Sequence, residues 1–318
     1  MSVVEMSRED KIFSDIDKLM IHDGAGIDQY ENDDFGDQIQ SCGNLKDAVS
    51  DFLFGDNQSI GLNLPWYGLE DTIQFRPGEL TVWNGINGHG KSLLLNQVVI
   101  GFMKQGARVA IASLELKPEE TIARMISQTF AIKKNELRQP ALDQFFEKAI
   151  NSLWLYTETG DMRPDRVKAM ARYVRHELKI DHLVIDSLMK CGILEGDYAG
   201  EKKFMNSLQN IAKDTGLHIH LVTHSKKQQD EHANIGKFDI SGSAAISNIP
   251  DNVMTVKRNK KKELESRMQT PDQETMKKHD AYVVCDKQRH GDWEGVIGLY
   301  FHESGQYTKQ LGRHMPLW

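Results

Sequence analysis

The stretch Gly85-Ile86-Asn87-Gly88-His89-Gly90-Lys91-Ser92 fits the spacing G-x-x-x-x-G-K-[ST]. Glycines in that pattern let successive backbone N–H groups turn inward around phosphate oxygens. The lysine reaches the β- and γ-phosphates, and the serine hydroxyl is a magnesium ligand. Gly85, Asn87, Gly88, Gly90, Lys91 and Ser92 are therefore the candidate residues for ATP, or another nucleoside triphosphate, together with Mg²⁺. The loop follows the strand-like run Glu79–Trp83 and opens the helical run Lys91–Lys104, the context in which this pattern acts as a phosphate cradle.

A magnesium site of this kind needs a carboxylate at the end of another strand, and Asp186 supplies one after Leu183-Val184-Ile185. Hydrolysis also needs a base that aligns water on the γ-phosphate. Glu115, in Ser113-Leu114-Glu115, ends the strand after the P-loop helix and is expected on a sheet neighbour of the P-loop strand. Ser92 and Asp186 are thus the candidate metal residues, and Glu115 and Lys91 the first catalytic candidates.

These residues must be held by strands and helices in alternation. Ala107–Ser113, Leu153–Tyr156, His182–Asp186 and His218–Thr223 read as strands, and Asn252–Val256, Ala281–Val284 and Val296–Phe301 follow. Between them lie helical runs opened by Pro118-Glu119-Glu120 and covering Arg163–Lys179 and Glu201–Asp214. Proline at a first helical position beside acids suits the positive end of a helix. The alternation predicts an α/β fold with a mainly parallel twisted sheet and helices on both faces. Glu263–Asp280 is so charged that it reads as a solvated insertion between two late strands.

Charge divides the chain. Of 39 basic and 46 acidic residues, three and eleven lie within residues 1–45, a net of −8, so the remaining 36 and 35 nearly cancel. Residues 1–44 therefore read as an acidic arm ahead of one globular domain, 45–318, with an amphipathic helix near 46–54 at its start. The near-neutral body neither excludes nor argues for nucleic-acid binding. Three widely spaced cysteines, Cys42, Cys191 and Cys285, fit reduced thiols in a cytoplasmic protein rather than a disulfide framework. The charged first twenty residues exclude a secretory leader, and no apolar run approaches the roughly eighteen residues of a membrane helix, so no membrane partner is expected.

Taken in order, Trp83-Asn84-Gly85, Ser113-Leu114-Glu115, Val184-Ile185-Asp186-Ser187, Val222-Thr223-His224-Ser225, Ser241–Ile246, Asp251–Met254 and Asp286-Lys287-Gln288-Arg289 resemble the RecA-type motor domain of replicative ring helicases. That group includes DnaB, the mitochondrial helicase Twinkle and the phage primase–helicases, and the likeness spans about Leu45 to Tyr307. The resemblance implies a RecA-like ATPase core that works as a hexameric ring on single-stranded DNA. It implies that His224 senses the γ-phosphate, as in the phage type, and that Lys287 and Arg289 reach the neighbouring subunit's nucleotide, Arg289 as an arginine finger. Arg258 falls near the adenine and Phe301 where an aromatic packs on the base. Lys226, Lys227, Lys237, Gly242 and Ser243 match the loops that track DNA, where lysines and free backbone N–H groups can follow a phosphate chain without reading bases.

Set against the family, this sequence leaves no room for a primase or collar domain ahead of the motor, so neither is expected in it. The expected protein is a stand-alone phage-type replicative helicase, working with a separately encoded primase or polymerase. Two other readings use the same motifs: a filament-forming RecA-like recombination or repair ATPase, and a nucleotide-switched scaffold that loads partners.

Overall fold

A computed structural model of the chain describes residues 41–54, 61–70, 72–225 and 236–318. The contacts divide the chain into two units, Met1–Gln58 and Ser59–Trp318. In the first, the helix α1 (Lys46–Phe54) follows a short 3-10 turn, Cys42–Leu45, and exposes Val49 and Phe54. This is the helix expected near 46–54; the acidic arm ahead of it lies almost wholly outside the described residues.

The second unit runs β1 (Leu62–Asn63), β2 (Gln74–Phe75), β3 (Leu80–Asn84), α2 (Lys91–Lys104), β4 (Val109–Ser113), α3 (Pro118–Phe130), α4 (Gln139–Ala149), β5 (Leu153–Leu155), α5 (Pro164–His176), β6 (His182–Asp186), α6 (Tyr198–Thr215), β7 (His218–Val222), α7 (Ala245–Asn248), β8 (Asn252–Arg258), α8 (Lys260–Glu265), α9 (Gln273–Lys277), β9 (Ala281–Gln288), β10 (Gly295–Phe301) and β11 (Tyr307–Thr308). Nine strands form one sheet in the order β11-β10-β9-β8-β3-β7-β6-β4-β5. From β8 to β5 every pairing is parallel; β9, β10 and β11 extend the sheet antiparallel.

The central strands β3, β4, β6 and β7 are buried along their whole length because both faces are covered, and they are mostly apolar, with Thr81, Asn84, His182, Asp186, His218 and His220 among the exceptions. Trp83, Ile111, Val184 and Val222 point into one core with Leu94, Val98 and Phe102 of α2, Met125 of α3 and Phe145 of α4. Their neighbours Val82, Ala110, Ile185 and Leu221 point the other way, against Val174 of α5, Phe204, Leu208 and Ile211 of α6 and Ile246 of α7. The period-two alternation of strands thus separates two helical layers, and the predicted α/β fold with helices on both faces is the one adopted. No described helix is long and apolar enough to cross a membrane.

Two expectations need correction. The strand carrying Glu115, β4, does not adjoin the P-loop strand β3; β7 and β6 lie between them. The segment Glu263–Asp280 is not simply solvated. It folds around α8 and α9, with Asn259 and Asp272 capping the two helices through Lys262 N–H and Thr275 N–H, and it buries Lys262 against Asp280. The helix α4 was not anticipated; Pro140 in its first turn and Phe145 and Ala149 on its buried face were the available signals.

Candidate nucleotide and catalytic site

The carboxyl ends of β3, β7, β6 and β4 converge on one cleft of about 920 Å³, the place where open α/β sheets bind ligands. Its floor is the P-loop, which turns from β3 into α2. Gly90 caps α2 in the left-handed region at φ 83°, and a Cβ placed there would lie 2.5 Å from the Tyr307 hydroxyl oxygen. Gly85 is equally obligatory, because its Cβ would meet the Val256 carbonyl at 2.5 Å. The first-turn N–H groups of α2 then face the cleft without intrahelical partners, a ready anion site.

Lys91 is buried, and burial pulls its ammonium down to about 8, opposed by Asp186 and Glu115. At neutral pH it is charged and has three N–H groups to give. They go to Gly85 O (2.8 Å), Ile86 O (3.2 Å) and Nδ1 of His224 (3.1 Å). Burial pushes His224 down to about 4, helped by Lys91, so the ring is neutral. Since Lys91 can only donate, Nδ1 must accept, which places the ring proton on Nε2. Nε2 lies 3.3 Å from Ser187 Oγ, and Ser187 Oγ donates to Glu115 Oε1 at 3.0 Å. The result is a chain of hydrogen bonds pointing one way: Lys91 to His224 to Ser187 to Glu115.

Asp186 ends β6 beneath this chain. Burial pushes its carboxyl up while the Ser92 hydroxyl, bonded to it, pulls it down. A hydroxyl and a carboxylate side by side make a hard-oxygen pair that suits Mg²⁺ and leaves most of its coordination to phosphate and water. The burial of the Asp186 carboxylate, nearly devoid of solvent, is the feature a cation would relieve.

Phe301 and Arg258 do line the same cleft, with Tyr307, whose ring centroid is 5.2 Å from that of Phe301, and the Arg258 backbone N–H donates to His89 of the P-loop at 3.2 Å. The Arg258 guanidinium lies 3.1 Å from Glu263 of α8, so the charged segment builds the wall here. Asn87, Gly88, Arg124, Ser127 and Lys134 complete the lining. Sequence reading missed Ser187, Arg124, Lys134, Glu263 and Tyr307. Only Ser187 carried a signal, by following Asp186 in the apolar strand's exit.

Lys287 and Arg289 lie elsewhere. Arg289 pairs with buried Asp251 at 3.1 Å, and Lys287 donates to the carbonyls of Asn248 and Pro250 at 2.7 Å each. Asp251 precedes β8 and bonds to the N–H of Leu80, at the amino end of the parallel strands. Both cations are therefore at the opposite end of the sheet from the P-loop of their own chain. Among the DNA candidates, Lys237 donates to Asp286 O (3.0 Å), and the Ser243 N–H binds Glu201 (2.6 Å) beside Gly242. Lys226 and Lys227 lie outside the described residues. Ser225, just before them, is tied to the P-loop: its N–H reaches Gly85 O at 3.2 Å and its hydroxyl reaches Asn84 at 3.1 Å.

A parallel sheet with a phosphate loop, a strand-end carboxylate and a polar residue on the strand between them defines a RecA-like P-loop domain. Residues 61–309 match the DnaB-like helicase C terminal domain, and the chain belongs to that family. It is 26% identical over 245 residues to the DNA helicase/primase of Enterobacteria phage T3, covering 70% of this chain and 43% of that protein. It is 24% identical over 253 residues to the Arabidopsis thaliana Twinkle homolog protein, chloroplastic/mitochondrial, covering 71% and 33%. The chain thus spans less than half the length of these relatives. Two solved structures share the fold. One is a separately solved ATPase domain (TM-score 0.69, 14% identity, covering 85% of this chain and 99% of that one). The other is a DnaB-like replicative helicase studied with primase (TM-score 0.66, 15% identity, covering 85% and 67%).

Proposed function

We propose that this chain is the motor of a replicative DNA helicase that hydrolyses ATP, or another nucleoside triphosphate, while moving along single-stranded DNA as a hexameric ring. The observation that carries the proposal is the tie between Ser225 and the P-loop. The residue that opens the segment bearing Lys226 and Lys227 is bonded to Gly85 and Asn84, and His224 beside it is bonded to Lys91. Occupancy of the phosphate site would thereby act on the residue that precedes Lys226 and Lys227. Family membership and the phage helicase/primase relative support the same reading.

In the mechanism, backbone N–H groups of Asn87 to Gly90 and the ammonium of Lys91 hold the β- and γ-phosphates. Ser92 and Asp186 would hold Mg²⁺, which when bound neutralises phosphate charge and orients its oxygens. Glu115 takes a proton from water as its oxygen bonds to the γ-phosphorus, while the bond from that phosphorus to the bridging oxygen breaks and ADP leaves. Arg258, Phe301 and Tyr307 hold the base, and His224 reports the γ-phosphate to the segment that follows. Lys287 and Arg289, remote from their own P-loop, complete the site of the next subunit. Lys237, Gly242 and Ser243 join Lys226 and Lys227 along the DNA path, and a separate primase or polymerase works beside the ring in a phage-infected bacterial cytoplasm.

The test is steady-state hydrolysis with and without single-stranded DNA, across protein concentration, alongside unwinding of a forked duplex. Stimulation by DNA, a steep rise with concentration and strand separation are expected. Hydrolysis indifferent to both variables would remove the helicase reading, and helical filaments in micrographs would move it to recombination.

A further inference from the structure

The one-way chain from Lys91 to Glu115 passes through a residue that has no part in the proposal so far. Ser187 is fully buried between His224 and Glu115, and its hydroxyl is the junction. Among the described residues, it provides the hydrogen bond that the Glu115 carboxylate accepts; His224 Nε2 stands further off, at 3.8 Å. Glu115 otherwise has side-chain freedom, since 44% of it is exposed. A half-exposed glutamate without a partner would sample several rotamers, and a general base out of line by about 1 Å can cost on the order of a hundredfold in rate.

We propose that Ser187 is a positioning residue that couples the phosphate sensor His224 to the general base Glu115. This rests on the roles given above to Glu115 and His224. The coupling follows from proton counting. Lys91 spends all three of its N–H groups on Gly85, Ile86 and His224, so a γ-phosphate can be bound only by withdrawing one. The two carbonyls belong to the loop that shapes the cradle, and the imidazole is the partner able to turn. When Lys91 leaves it, Nδ1 of His224 becomes an acceptor without a donor, and the ring turns towards a new one. That movement loosens Nε2–H from Ser187 Oγ. Ser187 has a single proton, and it stays on the bond to Glu115; what changes is the direction in which the hydroxyl is held. The base is thus parked by one arrangement of the chain and aligned by the other, according to whether Lys91 is on phosphate. No group changes its charge in this exchange, and no proton leaves the chain.

The experiment is hydrolysis kinetics on the full-length chain with single-stranded DNA, for Ser187→Ala, His224→Ala, their double variant and Glu115→Gln. Thermal midpoints and binding of a fluorescent ATP analogue are measured beside them. Ser187→Ala should lower kcat about ten- to a hundredfold with KM within about twofold, because alignment of the base is used only in the transition state. The double variant should be no slower than the slower single variant by more than about twofold, as expected for two links of one chain. If Ser187→Ala lowers the thermal midpoint, Ser187→Cys, which keeps the size but offers a poor donor, must reproduce the kcat loss. Losses that multiply in the double variant would overturn the coupling. So would a wild-type kcat for Ser187→Ala when Glu115→Gln is inactive. Normal turnover of Glu115→Gln would instead show that the base is misassigned, and the proposal falls with that reading.

Discussion

Arg289 holds Asp251 at 3.1 Å at the amino end of the parallel strands, the end of the sheet away from Lys91. Asp251 is almost wholly buried and also accepts from the Leu80 N–H and the Gln209 amide, so its charge is shared among three donors. The register of β3 with β8 puts this cluster a strand's length from the P-loop, on the order of 15 Å. A guanidinium held there, which also donates to the Ile249 carbonyl at 3.1 Å, cannot reach the phosphates of its own chain, yet its side chain is partly exposed towards another.

Arg289→Ala should therefore abolish most hydrolysis without abolishing nucleotide binding, with a loss on the order of a thousandfold or more. Mixing it with Lys91→Ala gives the sharper result. An interface between the two variants can unite the intact P-loop of one with the intact arginine of the other. The mixture should hydrolyse faster than either variant alone. Equal inactivity in the mixture would mean that Arg289 acts within its own fold, as the partner of Asp251.

The placement of the P-loop and its neighbours was largely legible in the sequence because it is local: a loop of eight residues and the exits of three buried strands. What was not legible depends on order in the sheet. Glu115 reaches the cleft although β4 is three strands from β3, and the bridge that brings it into contact with Lys91 is made of Ser187 and His224, from two other strands. Spacing along the chain cannot reveal such a junction. Nor could charge alone show that Glu263 would turn inward to Arg258, since a carboxylate in a run of lysines reads as solvated until its helix is placed.

Acid should destabilise the fold through a cluster remote from catalysis. His182, His218 and His220 stack at centroid distances of 4.4 to 5.3 Å, bonded to Thr81, Trp83 and the Arg76 carbonyl. Burial lowers His218 to about 4 and the other two well below the usual histidine value. Folded pKa values below the unfolded value of about 6.5 mean that the unfolded chain binds more protons. The stability is therefore complete above about pH 6.5 and is lost as pH falls towards 4, by up to about 1.4 kcal/mol per unit for each histidine. Asp186, Glu79 and Asp286, raised by burial, oppose part of this. Urea unfolding between pH 8 and 4.5 should show a falling midpoint; a flat profile would contradict neutral burial of the cluster.

Phe301→Ala should weaken nucleotide binding without touching the chemistry. Its ring lines the cleft beside Tyr307 and Arg258 and remains partly exposed, so the loss belongs near the lower end of the 1–3 kcal/mol typical of base stacking on an aromatic. KM is expected to rise about tenfold with kcat nearly unchanged, as for an interaction equal in ground and transition states. A fall in kcat at constant KM would place the base elsewhere in the cleft.

Gly90 offers a test that separates backbone strain from steric fit. At φ 83° an alanine costs about 1–2 kcal/mol through its left-handed backbone, and its Cβ would also stand 2.5 Å from the Tyr307 hydroxyl. The two costs fall on the same substitution, and both act where the cradle meets α2. Gly90→Ala should thus lose nucleotide binding by more than tenfold. Tyr307→Phe removes the hydroxyl that the new methyl would strike while leaving the buried ring against the core. By itself it should bind nucleotide nearly as well as wild type. Combined with Gly90→Ala, it should recover part of the affinity, the remainder being the backbone term that no neighbour can relieve. Titration with a fluorescent ATP analogue measures all four proteins. Full recovery would mean that the loop tolerates alanine at this φ, and no recovery would mean that the hydroxyl of Tyr307 was never the obstacle.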